Sequence, residues 1–411
     1  MTSTAACPYA LDPAGTDIHG EAAALREQGP TQVRLPGDVV VWSLNSHAAI
    51  QQVLADRRVT KSARNHWAEF RDGKIPPDWE LISWIAMDNM VTSFGSDHRR
   101  LRRLVASAFT TRRTEAMRPR ISELVTELLD ALAQTPPGAV VDLRETFAYP
   151  LPARLVADMI GMSEDARAAT AKVIDMMVDT TVTPDQAAQV LQGWRGAMTE
   201  LIEEKRRNPA ADITSDLLAS RDEDGSRLSE LELMDTVFAI LGAGSETTIN
   251  FFDNAISALL SHPDQLAAVQ AGEVTWDDVI DETLRVESPL VHLPLRYAAE
   301  DIEVEGVTIR QGEALLVNYS AVGRDPALNG ETACEFDVRR ENKEHLSFGH
   351  GPHYCLGAGI ARAVATEGLS RLFARFPRMR LATGDEPLQP LPTFIMNGHR
   401  ELPVILEPGS S

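Results

Sequence analysis

The feature that most constrains the fold is a long apolar-periodic run between Ser229 and His262-Pro263. Ser229 and Glu232 have the S-x-x-E spacing of a capping box, in which each side chain satisfies the other residue's orphan amide. Apolar residues follow at Met234, Val237, Phe238, Leu241, Ile249, Phe252, Ile256 and Leu259. Intervals of three and four among them mark a helical face. About 30 residues at ~1.5 Å each predict ~45 Å of helix, enough to cross a whole domain. A chain holding such a helix must build its core around it. The centre of the run reads Leu241-Gly242-Ala243-Gly244-Ser245-Glu246-Thr247-Thr248. Two glycines and an acid midway along a buried helix cost stability, so this stretch is expected to serve more than packing.

Around it, the pattern from about residue 97 to 270 is mostly helical. Ile121, Leu124, Val125, Leu128 and Leu129 give one buried face within 120–134, and the TPPG that follows stops it. Further helices are predicted over 275–289, ending at Pro289, and over about 356–375. Strand-like runs cover 39–44, 302–309 and 313–319. No internal repeat or low-complexity linker interrupts the chain. The expected fold is mainly α with a small β component, built as a single domain over 1–411.

Composition narrows the function classes. Hydrophobic residues are 44% and charged residues 24% of the 411, the mix of a globular protein and not of a disordered or disulfide-stapled one. Lys+Arg is 39 against 60 Asp+Glu, a net charge of -21. That balance argues against nucleic acid and against an anionic membrane as partners. The three cysteines, Cys7, Cys334 and Cys355, are too far apart for a CxxC pair. The first residues lack a basic and then apolar signal pattern, and no run approaches ~18 apolar residues, so the expected location is cytoplasmic.

The most informative stretch is Phe348-Gly349-His350-Gly351-Pro352-His353-Tyr354-Cys355-Leu356-Gly357. The residues alone admit several readings. His345, His350, His353 and Cys355 could bind zinc, although their spacing is irregular and no second ligand cluster lies nearby. Cys355 could be a structural core cysteine. Gly349-x-Gly351 could be a phosphate loop, but no clear βα pattern surrounds it. The fourth reading is a thiolate held for a metal cofactor. Glycines let backbone amides approach its sulfur, and the following helix aims its positive end at the anion.

The pattern F-x-x-G-x-x-x-C-x-G resembles the haem-binding loop of the cytochrome P450 family. The resemblance extends along most of the chain, in order. Glu282-Thr283-Leu284-Arg285 resembles the family's E-x-x-R pair, which joins a downstream arginine to brace the cysteine loop. Arg340 matches that arginine best, with Arg339 as the alternative. Ala243-Gly244-Ser245-Glu246-Thr247 resembles the A-G-x-[DE]-T signature of the helix over the haem. His98, Arg102, Arg296 and His353 match the groups that hold the haem propionates. The resemblance implies the P450 fold and haem b (iron protoporphyrin IX) bound by Cys355 as axial ligand. Phe348, Gly349, Gly357, Ala243 and Gly244 would lie against the haem. It also implies dioxygen as co-substrate, with Thr247 hydrogen-bonding it and Glu246 relaying protons. Two positions depart from the pattern: Val364 stands where many relatives carry Glu, and Ser245 is not the commonest residue there.

Family segments that line the substrate cavity give Trp84, Met87, Val91, Met177, Ile240, Ala243, Val291, Leu293, Phe394 and Met396. Most are apolar, which implies a lipophilic small-molecule substrate. The opening Cys7-Pro8-Tyr9 and the stretch Leu11 to Gly20 resemble an actinomycete subgroup that hydroxylates steroids and macrolide-like compounds. A steroid is the expected substrate, with a macrolide-like or other secondary metabolite as the alternative. A non-catalytic haem-binding or sensing protein is the rival from another class. Arg99, Arg100, Arg102, Arg103, Arg112, Arg113, Arg118 and Arg120 face only Glu115 in the same stretch. In an acidic chain they could simply be solvated, or they could dock an acidic electron donor. The family's bacterial members point to a ferredoxin with its ferredoxin reductase, NAD(P)H being consumed by the reductase.

Overall fold

The run from Ser229 forms the helix Glu230–Ser261, 32 residues long. Both halves of the capping box are made: the Ser229 hydroxyl accepts from the Glu232 amide at 3.1 Å, and the Glu232 carboxylate accepts from the Ser229 amide at 2.8 Å. His262 caps the far end, and Pro263 opens the next helix. The computed structural model describes residues 7–163, 166–167, 170, 176, 178–181, 183–222, 225–384 and 386–407.

This central helix belongs to two separate apolar clusters. Its C-terminal half, from Phe251 to Leu259, packs with the helices Thr111–Leu132, Pro150–Ile160, Trp276–Val286 and Ala358–Arg375. Its N-terminal half, from Leu233 to Leu241, packs with Gly95–Ala106 and Pro184–Arg207. Residues 242–248, the glycine- and acid-bearing stretch, contribute to neither cluster. They lie where the two cores part, which is where a cavity can open at least cost.

The β component is small, as expected. One sheet has six strands in the spatial order Tyr9–Ala10, Thr31–Arg34, Val40–Leu44, Ala314–Val317, Arg296–Ala298 and Val59–Thr60. Leu315 is the hub of its register, opposite Trp42 on one side and Arg296 on the other. A three-stranded sheet joins Val140–Asp142 to the C-terminal strands Arg380–Leu381 and Pro403–Ile405.

Two expectations shift. The run 302–309 is two strands, Ile302–Val304 and Val307–Ile309, because Glu305 and Gly306 adopt φ of 48° and 80° and turn the chain back. The helix expected over 120–134 begins at Thr111, after a Thr110 side-chain cap. The arginines of 112–120 therefore stand on its first turns. No helix among the described residues is long and apolar enough to cross a membrane.

Candidate active site

Cys355 ends a loop whose backbone is tied to itself. The Cys355 amide donates to the Phe348 carbonyl at 2.8 Å and the Gly349 amide to the Leu346 carbonyl at 2.7 Å. Gly349 has φ of 76° and Gly351 of 68°, the left-handed region that favours glycine. A Cβ on Gly351 would also lie 2.8 Å from the Leu54 carbonyl oxygen. The helix Ala358–Arg375 starts immediately after the cysteine, with Gly357 at its cap. Burial pushes the Cys355 thiol up, while the Gly357 amide, Arg102 and the Ala358 amide favour its anion. Cys355 is nevertheless exposed. Burial and exposure are reconciled by an internal cavity of about 350 Å³, whose wall it forms.

The loop is braced from behind. Glu282 and Arg285, both with fully buried side chains, pair bidentately at 2.7 Å. The Arg285 guanidinium also donates to the carbonyls of Gly323, Ala333 and Glu335. Glu282 accepts from the Asp337 amide at 2.8 Å and lies 3.5 Å from Arg340. Arg339 instead pairs with exposed Glu273 at 3.2 Å, so Arg340 is the third member. Gly323 is required here: a Cβ on it would fall 1.8 Å from the Arg285 carbonyl oxygen. Ser347 donates to the Leu284 carbonyl and ties the brace to the cysteine loop.

On another side, the cavity is lined by buried basic side chains. Arg296 and His98 are each 4% exposed, and the rings of His98 and His353 lie 4.2 Å apart. Arg102 donates to the Tyr354 carbonyl at 2.8 Å. Burial, then Arg102, Arg99 and Arg296, push His98 down to about 4. Burial, then Arg296, His98, Lys61 and Arg102, hold His353 well below its ordinary value. Lys61, 2% exposed, joins them; burial and Arg296 lower it strongly. Glu246 is the only carboxylate lining the cavity among the described residues. His98 Nε2 and Arg296 Nε have no hydrogen-bond partner among the described residues. Buried guanidiniums without counter-ions, like buried ring nitrogens without partners, are costly. The donor set therefore fits a ligand that brings its own carboxylates, as haem does.

The central helix borders the same space. Ala243 is exposed midway along a buried helix because its face opens on the cavity. Glu246 is 4% exposed and lines it as well. The Thr247 hydroxyl donates to the Ala243 carbonyl at 2.7 Å. Gly244 has a packing reason besides: a Cβ there would meet Val156 at 3.0 Å.

A cysteine with amides at its sulfur, a buried Glu–Arg–Arg brace and an uncompensated cation cluster thus meet around one cavity. The Cytochrome P450 family model matches residues 33–403. The chain belongs to the cytochrome P450 family. It is 46% identical over 402 residues to the 2-hydroxy-5-methyl-1-naphthoate 7-hydroxylase of Streptomyces carzinostaticus, covering 98% of each chain. Among solved structures, it superposes on CYP154A1 from Streptomyces coelicolor A3(2) with a TM-score of 0.92 at 46% identity, covering 97% of this chain and 100% of that one. Testosterone-bound CYP154C4 from Streptomyces sp. ATCC 11861 is similar at a TM-score of 0.94 and 39% identity, over 98% of this chain and 99% of that one. These relatives make it a P450 monooxygenase, an oxidoreductase.

The P450 motif residues singled out in the sequence, Ser245 apart, face this cavity or its brace. His98, Arg102, Ala243, Gly244, Glu246, Thr247, Arg296, Phe348, Gly349, His353, Cys355 and Gly357 all line it. Ser245 does not: it is 3% exposed and turned away. Val364 is 2% exposed among apolar residues, so the departure from Glu leaves no buried charge.

The substrate side needs correction. Trp84, Met87, Val91, Ile240, Ala243, Leu293 and Met396 line the cavity, but Val291 and Phe394 do not. Val291 is fully buried, its amide donating to the Ile395 carbonyl at 2.8 Å. The Phe394 ring is fully buried against His292, 5.7 Å away. Both residues sit at bends in the chain, so strand alternation with Leu293 and Met396 does not hold and their side chains are packed in the core. Met177 lies outside the described residues. Lys61, Asn89, Met90, Met159 and Thr236 line the cavity and carry no motif that would have marked them.

The arginine patch is mostly neutralised, by Glu115 within it and by acids from elsewhere in the chain. Arg100 pairs with Glu232, Arg103 with Asp222, Arg113 with Asp216, Arg118 with Glu115 and Arg120 with Asp158. Exposed Arg99 and Arg112 form no ion pair among the described residues.

Proposed function

We propose that this P450 inserts one oxygen atom of dioxygen into a C–H bond of a lipophilic small molecule. The observation that carries the reading is the single cavity shared by Cys355, the uncompensated cations and the Glu246–Thr247 pair. Haem b, when bound, supplies the iron at which dioxygen is activated. Cys355 would provide the axial thiolate, with the Gly357 and Ala358 amides moderating its charge. Lys61, His98, Arg102, Arg296 and His353 would neutralise two carboxylates. Glu246 is placed to pass protons and Thr247 to orient them. The apolar wall, with Met87, Met90, Met159 and Met396, selects a lipophilic substrate and keeps bulk water out. A fused-ring molecule suits this wall. The naphthoate hydroxylase supports an aromatic one, and testosterone-bound CYP154C4 supports a steroid.

Residues 1–411 act as one haem-binding unit in the cytoplasm, drawing electrons from a separate ferredoxin and its reductase. Arg99 and Arg112 are the arginines left to meet an acidic partner. In the test, NADPH, a surrogate ferredoxin and reductase, and a fused-ring panel are supplied under ¹⁸O₂. A product carrying one ¹⁸O atom is expected. Arg112→Glu should slow reduction by about 3- to 10-fold at low salt, and less as salt screens the contact. Reduced, thiolate-ligated protein that yields no oxygenated product would contradict the reading.

A further inference from the structure

Three side chains lining the cavity carry a buried polar atom without a partner among the described residues: His98 Nε2, Arg296 Nε and Thr236 Oγ1. The first two belong to the cation cluster that awaits carboxylates. Thr236 stands apart from it. It is 1% exposed and sits on the N-terminal half of the central helix. Eleven residues separate it from Thr247. At 3.6 residues per turn that is almost three whole turns, so both threonines face the same way, ~16 Å apart along the axis. Ala239, Ile240 and Ala243 line the cavity between them.

The polar groups of the loop 88–92 are hydrogen-bonded within the fold, whereas Asp235 Oδ1, beside Thr236 but outside the cavity lining, has no partner among the described residues. Asn89 donates to the Asp235 carbonyl at 3.2 Å and accepts from the Val91 amide at 2.8 Å. The Thr92 hydroxyl donates to the Met87 carbonyl. Asp235 holds the loop above by accepting from the Asp88 amide at 2.6 Å. A buried hydroxyl left unmade is expensive, and a ligand that satisfies it recovers that cost. Asn89 and Thr92 also line the cavity but are hydrogen-bonded within the fold, so Thr236 carries the one buried lining hydroxyl left without a partner among the described residues.

We propose that Thr236 is a specificity-determining residue: its hydroxyl bonds a carbonyl or hydroxyl oxygen at one end of an elongated lipophilic substrate. The reacting C–H bond then lies at the other end, beside Thr247. This rests on the monooxygenase reading and adds the polarity, length and orientation of the substrate. A threonine hydroxyl both donates and accepts, so either oxygen function is matched. A site built around such a bond rejects the analogue lacking the oxygen.

The test is binding by ligand-induced change in the haem absorption spectrum, with calorimetry alongside. The probes are three pairs differing by one terminal oxygen: androstanone and androstane, hexadecanol and hexadecane, naphthol and naphthalene. In at least one pair the oxygenated member should bind more tightly to the native protein. Thr236→Val, which keeps the shape, should weaken that member about 10-fold, or about 1.4 kcal/mol, and leave the deoxygenated one within about twofold. Thr236→Ser should restore the preference. The proposal is overturned if no oxygenated member binds better than its partner, or if Thr236→Val weakens both members alike. The carbon monoxide spectrum of reduced native protein separates the two failures: if it lacks the thiolate signature, the monooxygenase reading itself fails.

Discussion

His292 shows what burial does to one side chain. It is 3% exposed, its Nδ1 lies 2.7 Å from the Phe394 carbonyl and its Nε2 has no partner among the described residues. Burial pushes it down to about 4, against a small opposing effect of that carbonyl. The folded state thus binds fewer protons than the unfolded chain, whose histidine titrates near 6.5. The stability at stake is fully present above pH ~6.5 and is lost as pH falls toward about 4, up to roughly 3 kcal/mol. His292→Gln should flatten the fall in melting temperature between pH 6.5 and 4.5, measured beside native protein. An identical fall in both would assign the acid sensitivity to other groups. At this scale, legibility followed spacing. Cys355, Glu282, Arg285 and the propionate-matching residues sit in fixed patterns, so their types and intervals could be read. Lys61 and Thr236 sit in none; only the fold brings a lone lysine and a lone threonine to the cavity. Val291 and Phe394 were misplaced because bends at these residues, which no sequence pattern declares, turn them from the face that Leu293 and Met396 take.

Among elements, the brace helix Trp276–Val286 carries the sharpest expectation. It starts with a Thr275–Asp278 capping box and buries Glu282 and Arg285 together. Arg285→Ala would leave the Glu282 charge buried with only Arg340, 3.5 Å away, to meet it. Removing one partner of a buried pair typically costs 3–5 kcal/mol. The midpoint of urea unfolding should fall accordingly, and haem retention with it. Lysine should not rescue, because one ammonium cannot reproduce a fork that serves Glu282 and three carbonyls. A midpoint for Arg285→Lys equal to native would contradict that role. Helices were legible at this scale where caps and three–four spacing agreed, as at Ser229. The 302–309 hairpin was not, because apolar residues at Ile302, Val304, Val307 and Ile309 read as one strand, and the turn shows only in the φ of Glu305 and Gly306.

The whole molecule reconciles two charge patterns that looked opposed. The chain carries a net charge of -21, yet eight arginines cluster within 99–120. Folding brings Asp158, Asp216, Asp222 and Glu232 to that cluster, and the surface reversal shrinks to Arg99 and Arg112. Positive charge is instead concentrated inside, beside the cavity, where Glu246 is the only lining carboxylate among the described residues. Linear sequence could show that the arginines were many; it could not show which acids would reach them. The two apolar cores, the central helix and the braced loop all converge on that cavity, and the account stands or falls on what binds there. The most direct measurement is the absorption spectrum of the reduced, haem-loaded protein under carbon monoxide. The account predicts the red-shifted band of a thiolate-ligated haem, lost in Cys355→Ser. A protein that takes up no haem, or whose band is that of a nitrogen-ligated haem, would contradict it.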